Sequence, residues 1–360
     1  MKLGILGPPQ SGKSTLFSAL THGQPDAGTS HGDKVRLGSV RVPDRRLEHL
    51  RDMHQPKKFT PAKVDYVDAP PLDASKGERG ALSALTALRD VDAFVLVVRA
   101  FPDPAVPHFQ NTVDPERDAA WLVGELLLED LAVVERRLER IEKALKVGKQ
   151  PEDPNEFEAL KRVRAALESE RPARDAGLSP AQERAIRGFQ LLSIRPWIFV
   201  VNVDDEALQK GEGALTDPVR RRLPEPHPPV LALSAKTEAE LVALSEADAA
   251  EFMAAIGIKE PGLTRMIRVS YAALGLISFF TVGPDEVRAW TVRDGVLAPE
   301  AAGAIHSDLE RGFIRAEVIA YNDLVAAETM AKARERGLLR TEGRAYRVRD
   351  GDILNIRFSV

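Results

Sequence analysis

The residues best equipped for chemistry stand at the start of the chain. Gly7-Pro8-Pro9-Gln10-Ser11-Gly12-Lys13-Ser14 has the spacing GxxxxGK[ST]. Glycines let such a loop curl until consecutive backbone N–H groups face one anion. Lys13 can then reach the outer phosphates of a nucleotide, and the Ser14 hydroxyl can ligate Mg²⁺. A short apolar run, residues 2–6, precedes the loop, and residues 14–20 read as a helix whose N-terminal dipole favours the same anion. In this context the spacing predicts nucleotide binding by Gly7, Gln10, Ser11, Gly12, Lys13, Ser14 and Thr15.

These side chains need a scaffold, and the apolar patterning supplies one. Residues 2–6, 93–98 and 197–201 are continuous apolar runs, as expected of parallel strands covered on both faces. Residues 64–67 and 230–233 read as further strands. Lys13, Asp68, Arg99, Asn202 and Ser234 all fall just after these runs, at the carboxyl ends where open α/β sheets bind ligands. Between two of the runs, Leu131, Val134, Leu138, Ile141 and Leu145 form a helical seam of coiled-coil spacing. A second helix carries Phe157, Leu160, Val163 and Leu167, and Ser179-Pro180-Ala181-Gln182 has the capping-box spacing of a third. Residues 116–190 therefore read as an antiparallel helical module, whose Arg136, Arg137, Arg140, Lys143, Lys146 and Lys149 interleave with acids as on a solvated face. Beyond residue 272, residues 286–291 and 313–321 look like strands and 299–306 like a short helix. Residues 345–348 and 353–358 look like a terminal hairpin, and together these elements suggest a small α+β module.

Composition sets limits. The 360 residues are 44% hydrophobic and 29% charged, with a net charge of −4, so attraction to nucleic acid needs a local patch. The absence of cysteine excludes disulfides and thiolate metal sites. The start of the chain does not read as a secretory signal, and the longest apolar run is far too short to span a bilayer. The expectation is a cytoplasmic protein with no membrane partner and no DNA specificity.

Further segments carry a resemblance. They are residues 12–21, Val42-Pro43-Asp44-Arg45-Arg46-Leu47, Ala74-Ser75-Lys76-Gly77-Glu78, Val91-Asp92-Ala93 and Val97-Val98-Arg99-Ala100-Phe101. The C-terminal segments are the most specific: Phe280-Thr281-Val282-Gly283, residues 287–292 and residues 312–319. Together they resemble the YchF/Obg-like ATPase family of translation-factor-related P-loop NTPases. The resemblance implies an α/β P-loop NTPase core of GTPase type, an inserted helical coiled-coil module, and a C-terminal ubiquitin-like β-grasp (TGS) domain. The expected boundaries are 1–115 with 191–272, then 116–190, then 273–360. It also implies binding of ATP or GTP with Mg²⁺ held by Ser14 and Asp68, slow hydrolysis, and association with ribosomes or RNA. The basic residues Arg288, Arg293, Arg311, Arg315, Lys332, Arg334, Arg336, Arg340, Arg344, Arg347 and Arg349 are its best RNA-facing candidates.

Several positions depart from the pattern. Asp68 opens a DxxG-type segment, but the glycine that would donate an N–H to the γ-phosphate is Pro71, which has none. The threonine expected to complete the Mg²⁺ shell falls on Gly32, with Thr29 or Ser30 as substitutes. Leu72 takes the place of a water-orienting glutamine, and the resemblance moves that role to His108, in a proline-rich loop that reads as mobile. For the base, Asn202-Val203-Asp204-Asp205 and Ser234-Ala235-Lys236 are the contact candidates. Asp205 favours guanine if it reaches the base, whereas the resemblance implies adenine. Two readings follow: a slow Mg²⁺-dependent NTPase, or a nucleotide-binding interaction module with a degenerate switch and no significant hydrolysis.

Overall fold

Apolar continuity becomes strand structure where the sequence anticipates it. The computed structural model describes residues 1–21, 35–73, 85, 86 and 88–359. Twelve strands are found among them: β1 Lys2–Leu6, β2 Arg36–Arg41, β3 Lys58–Thr60, β4 Lys63–Asp68, β5 Ala93–Arg99, β6 Trp197–Asn202, β7 Val230–Leu233, β8 Leu276–Val282, β9 Glu286–Arg293, β10 Phe313–Ala320, β11 Arg340–Glu342 and β12 Asp352–Phe358. They form two six-stranded sheets, ordered β2-β4-β1-β5-β6-β7 and β11-β10-β12-β8-β9-β3. The chain divides into two compact units, residues 1–40 with 65–266, and residues 41–64 with 267–360.

In the first unit β4, β1, β5, β6 and β7 run parallel, and every residue of β5, β6 and β7 is buried. Their register aligns the chemically loaded ends: Ile5 pairs with Asp68, Arg99 with Asn202, and Asn202 with Leu233. The helical insertion begins at Asp114, whose carboxylate caps Arg117 N–H at the start of the helix Pro115–Lys146. Gly148, at φ 80°, ends that helix and lets the chain reverse into Pro154–Glu168. The capping box of Ser179 and Gln182 forms on Pro180–Ile186. One continuous core holds Leu138, Leu160 and Val163 of the insertion together with Phe94, Leu96 and Phe199 of the sheet. Asp130 fastens the insertion to its return segment by accepting from Leu192 N–H and Ser193 N–H at 2.7 Å each and from Ser193 Oγ. Burial pushes the Asp130 carboxyl up to about 6, against the pull of the Ser193 and Leu192 donors.

The second unit is larger than residues 273–360. Residues 41–64 belong to it because β3 pairs in parallel with β9, and Leu47, Leu50 and Ala62 pack with Phe280, Val287 and Ile353. The strands β8 and β9 form a hairpin, the helix Ala298–Ile305 packs on the sheet, and β10 pairs antiparallel with both β11 and β12. Residues 345–348 do not form the second arm of a terminal hairpin. They lie in a turn with a single bridge from Arg347 to Leu297, and β12 takes β10 as its antiparallel partner instead. Phe313 is buried and Trp290 packs against the same core, as strand alternation requires.

Candidate nucleotide site

The phosphate loop takes its shape from two unusual backbone positions. Gln10 has φ 60° and Gly12 φ 88°. At Gly12 a Cβ would stand 2.0 Å from Asn202 Nδ2, and at Gly7 one would stand 2.5 Å from the Val97 carbonyl oxygen, so only glycine fits either place. Gly12 leads into the helix Lys13–Leu20, which has no side-chain cap and no acid in its first turn. Helical geometry leaves the N–H groups of Lys13, Ser14 and Thr15 without intrahelical acceptors, an anion-binding arrangement. Ser11 is buried, and its hydroxyl makes no hydrogen bond among the described residues.

Around the Asp68 carboxylate the charged residues converge. Lys13 Nζ lies 2.8 Å from Oδ1 and donates also to the Ala69 carbonyl at 2.5 Å. Ser14 Oγ donates to Oδ2 at 3.2 Å. Arg36, from β2, donates to the same Oδ2 through Nε at 3.0 Å and through Nη2, with its guanidinium 4.9 Å from the centre of the Phe17 ring. Asp68 is 4% exposed. Nothing in its own segment singles out Arg36: its partner is remote in the chain, and the β2–β4 neighbourhood brings them together.

The segment after Asp68 is docked on the phosphate loop. Leu72 N–H donates to the Gly7 carbonyl at 3.0 Å, and the Leu72 side chain is fully buried in the core. Pro71 stands between these anchors without an N–H to offer. Gly32, Thr29, Ser30 and residues 74–78 lie outside the described residues.

On the base side, Asn202 works as a bridge. Its Nδ2 donates to the Ser11 carbonyl and its Oδ1 accepts from Ala235 N–H, both at 2.9 Å. It thereby ties the phosphate loop to the Ser234-Ala235-Lys236 turn, and both ends of its amide are engaged. Asp205 uses one oxygen, Oδ1, to accept from Ser234 Oγ at 2.8 Å and from Thr237 Oγ1. Its Oδ2 faces Lys236 Nζ at 3.7 Å. Partial burial raises the Asp205 carboxyl, but the Thr237 and Ser234 hydroxyls and Lys236 outweigh it and hold the group below the usual carboxylate range. Thr237 was not among the sequence candidates, although it lies one residue past the Ser-Ala-Lys turn.

His108 stands apart from this cluster. Its Nδ1 accepts from Gln110 N–H at 3.2 Å, and its Nε2 lies 2.9 Å from Asp118 Oδ2, within ion-pair distance but without a well-aligned hydrogen bond. These partners sit in its own loop and in the following helix. Burial raises the Asp118 carboxyl, opposed by Arg117 and His108. At the start of the same loop Arg99, almost fully buried, donates to the carbonyls of Phe101, Val106 and Asp103.

Comparison with known proteins agrees with this architecture. The family model YchF-GTPase_C, described as a protein of unknown function, matches residues 276–359. The chain is 40% identical to the ribosome-binding ATPase YchF of Bacillus subtilis, covering 99% of each protein. It is 37% identical to the ribosome-binding ATPase YchF of Haemophilus influenzae over 100% of this chain and 99% of that one. The solved structure of the Schizosaccharomyces pombe YchF GTPase superposes with a TM-score of 0.82 at 31% identity, covering 99% of this chain and 97% of that chain. With full-length identity and a shared architecture, the chain belongs to the YchF family.

Proposed function

We propose that this protein binds a purine nucleoside triphosphate, ATP or GTP, hydrolyses it slowly, and associates with ribosomes in the cytoplasm. The uncapped first turn of Lys13–Leu20, with Lys13 and Ser14 on it and Asp68 beside it, is the observation that carries the reading. The full-length relatives named ribosome-binding ATPases support its second half.

In this reading the loop N–H groups and Lys13 hold the β- and γ-phosphates. Asn202 keeps that loop in register with the base site, while Asp205, Ser234, Ala235 and Lys236 face the purine. A carboxylate only accepts hydrogen bonds, and guanine presents an N1–H and a 2-amino group where adenine presents neither donor, so Asp205 favours guanine. Ser14 Oγ and Asp68 Oδ2, 3.2 Å apart, match the ~3 Å edge of an octahedron with ~2.1 Å bonds, but the Arg36 guanidinium already occupies Oδ2, so the pair fits Mg²⁺ only once Arg36 has left it. When bound, Mg²⁺ would neutralise phosphate charge and polarise the reacting phosphoryl group. In this conformation His108 faces Gln110 N–H through Nδ1 and the Asp118 carboxylate through Nε2. With Pro71 unable to donate and Leu72 anchored, turnover is slow.

Isothermal calorimetry of the full chain with ATP, GTP, ADP and GDP, followed by ribosome co-sedimentation, tests this reading. Micromolar binding with a triphosphate preference and ribosome pelleting support it, and no nucleotide binding under any condition overturns it. Pro71 also favours the second reading, a binding module without hydrolysis. Nucleotide affinity with no turnover, unchanged in His108→Ala, would select that module.

A further inference from the structure

The Asp68 carboxylate already holds two cations before any metal is considered. Lys13 takes Oδ1, and Arg36 takes Oδ2 beside the Ser14 hydroxyl. Asp68 and Lys13 are nearly fully buried, and Arg36 is only partly exposed, its guanidinium resting on Phe17. In this conformation a divalent ion placed on Ser14 Oγ and Asp68 would sit against the Arg36 guanidinium, and two cations a few ångströms apart in a partly buried site repel strongly. With Arg36 and Lys13 against one carboxylate, the cluster carries net positive charge facing the phosphate loop. An arginine presents planar paired donors that suit phosphate oxygens and stays charged at any working pH.

We propose that Arg36 is a phosphate-facing residue that takes over the charge-neutralising part of the metal's role, so that this protein binds purine nucleotides without needing a divalent cation. The proposal rests on the nucleotide-binding reading above. When nucleotide enters, Arg36 turns from Asp68 Oδ2 toward phosphate oxygen, while Lys13, whose three N–H donors can serve Asp68 Oδ1 and the phosphates together, keeps the carboxylate neutralised. Two other features are consistent with a site that no longer relies on the metal-centred switch. Pro71 withdraws a γ-phosphate donor, and Leu72 N–H is spent on the Gly7 carbonyl.

The experiment measures affinity for GTP, ATP and their diphosphates by calorimetry, in excess EDTA and in millimolar Mg²⁺. The proteins compared are the full-length chain, Arg36→Gln and Arg36→Lys. The expected result for the unaltered protein is affinity in EDTA within about threefold of that in Mg²⁺. Arg36→Gln should lose at least tenfold in EDTA and recover part of it with Mg²⁺, while Arg36→Lys, which keeps the charge, falls between. Circular dichroism melts confirm that each variant is folded. Loss of binding by the unaltered protein in EDTA overturns the proposal while leaving the nucleotide reading intact. Tighter binding by Arg36→Gln in both buffers also overturns it and identifies Arg36 as a plug. Absence of binding in every buffer overturns the nucleotide reading, and this proposal with it.

Discussion

At the scale of single residues, the geometry of the phosphate loop depends on residue types that tolerate no exchange. Gly12 shows this most plainly. An alanine there would combine a left-handed backbone with a Cβ 2.0 Å from Asn202 Nδ2. Gly12→Ala should lower nucleotide affinity at least tenfold and cost about 1–3 kcal/mol of stability from backbone strain alone, measurable by calorimetry and urea unfolding. Asp205 makes a second test. Its Oδ1 is held by two hydroxyls and its carboxyl stays ionised at neutral pH. Asp205→Asn should therefore cut affinity for guanine nucleotides about tenfold or more, the worth of a charge-assisted hydrogen bond of roughly 1.5–3 kcal/mol. Affinity for adenine nucleotides should change little, and an equal loss for both bases would show that Asp205 does not read the purine. What the sequence concealed at this scale was pairing. Asp68 was marked by its segment but Arg36, its partner, is ordinary in its own, and His108 gave no sign that Asp118 would engage it. Such partners are set by register and helix entry, not by local spacing.

At the scale of elements, the apolar runs and caps were read closely because each is local. The helix start at Ser179 and the strands β1, β5 and β6 follow from a few adjacent residues. Residues 345–348 misled because short apolar alternation near a turn resembles a hairpin arm, while the long strand β10 outcompetes it for β12. The Arg99 fan was equally invisible: prolines signal a loop, but not a buried guanidinium that braces it. Asp130 carries the prediction proper to this scale. Asp130→Ala leaves the two N–H groups of Leu192 and Ser193 and the Ser193 hydroxyl without their acceptor and should cost about 2–4 kcal/mol. The pH dependence has a definite sign. The folded-state pKa of about 6 lies above the ordinary value of 3.8, so the folded protein binds this proton more tightly than the unfolded chain. Its stabilising effect is full below about pH 4 and is lost as pH rises through 6. Thermal melts of the unaltered protein and Asp130→Asn from pH 4 to 7 should differ in slope within that window, with the variant flatter.

At the scale of the whole molecule, the charge that matters is local. The chain carries −4 overall, yet lysines and arginines outnumber acids in residues 41–64 and 267–360 taken together. Many of these cations are already spent: Arg311 on Asp308, Lys332 on Glu328, and Arg340 near Glu342 and Asp352. Arg293, Arg315 and Arg334 are exposed with no ion pair among the described residues, and Arg344, Arg347 and Arg349 line a cleft of about 640 Å³. In the helical insertion, Arg137 and Lys143 pair with Glu156 and Glu139, in keeping with a solvated face. Ribosome co-sedimentation should therefore weaken steeply with salt. The triple change Arg344→Glu, Arg347→Glu and Arg349→Glu should weaken it at least tenfold and leave nucleotide affinity within twofold. No helix among the described residues is long and apolar enough to cross a membrane.

The course of the backbone has a further consequence for anyone who cuts the protein. The chain passes from one unit to the other three times, after Val40, after Val64 and after Met266. A protease nick at the last crossing would not shed the C-terminal portion, because Leu47, Leu50 and Ala62 remain packed into its core. A gene truncated at the same point would leave those three side chains facing water on an excursion with nothing to cover it. Limited proteolysis and truncation, which usually report the same boundary, should here disagree: the nicked protein stays assembled, and the shortened one precipitates.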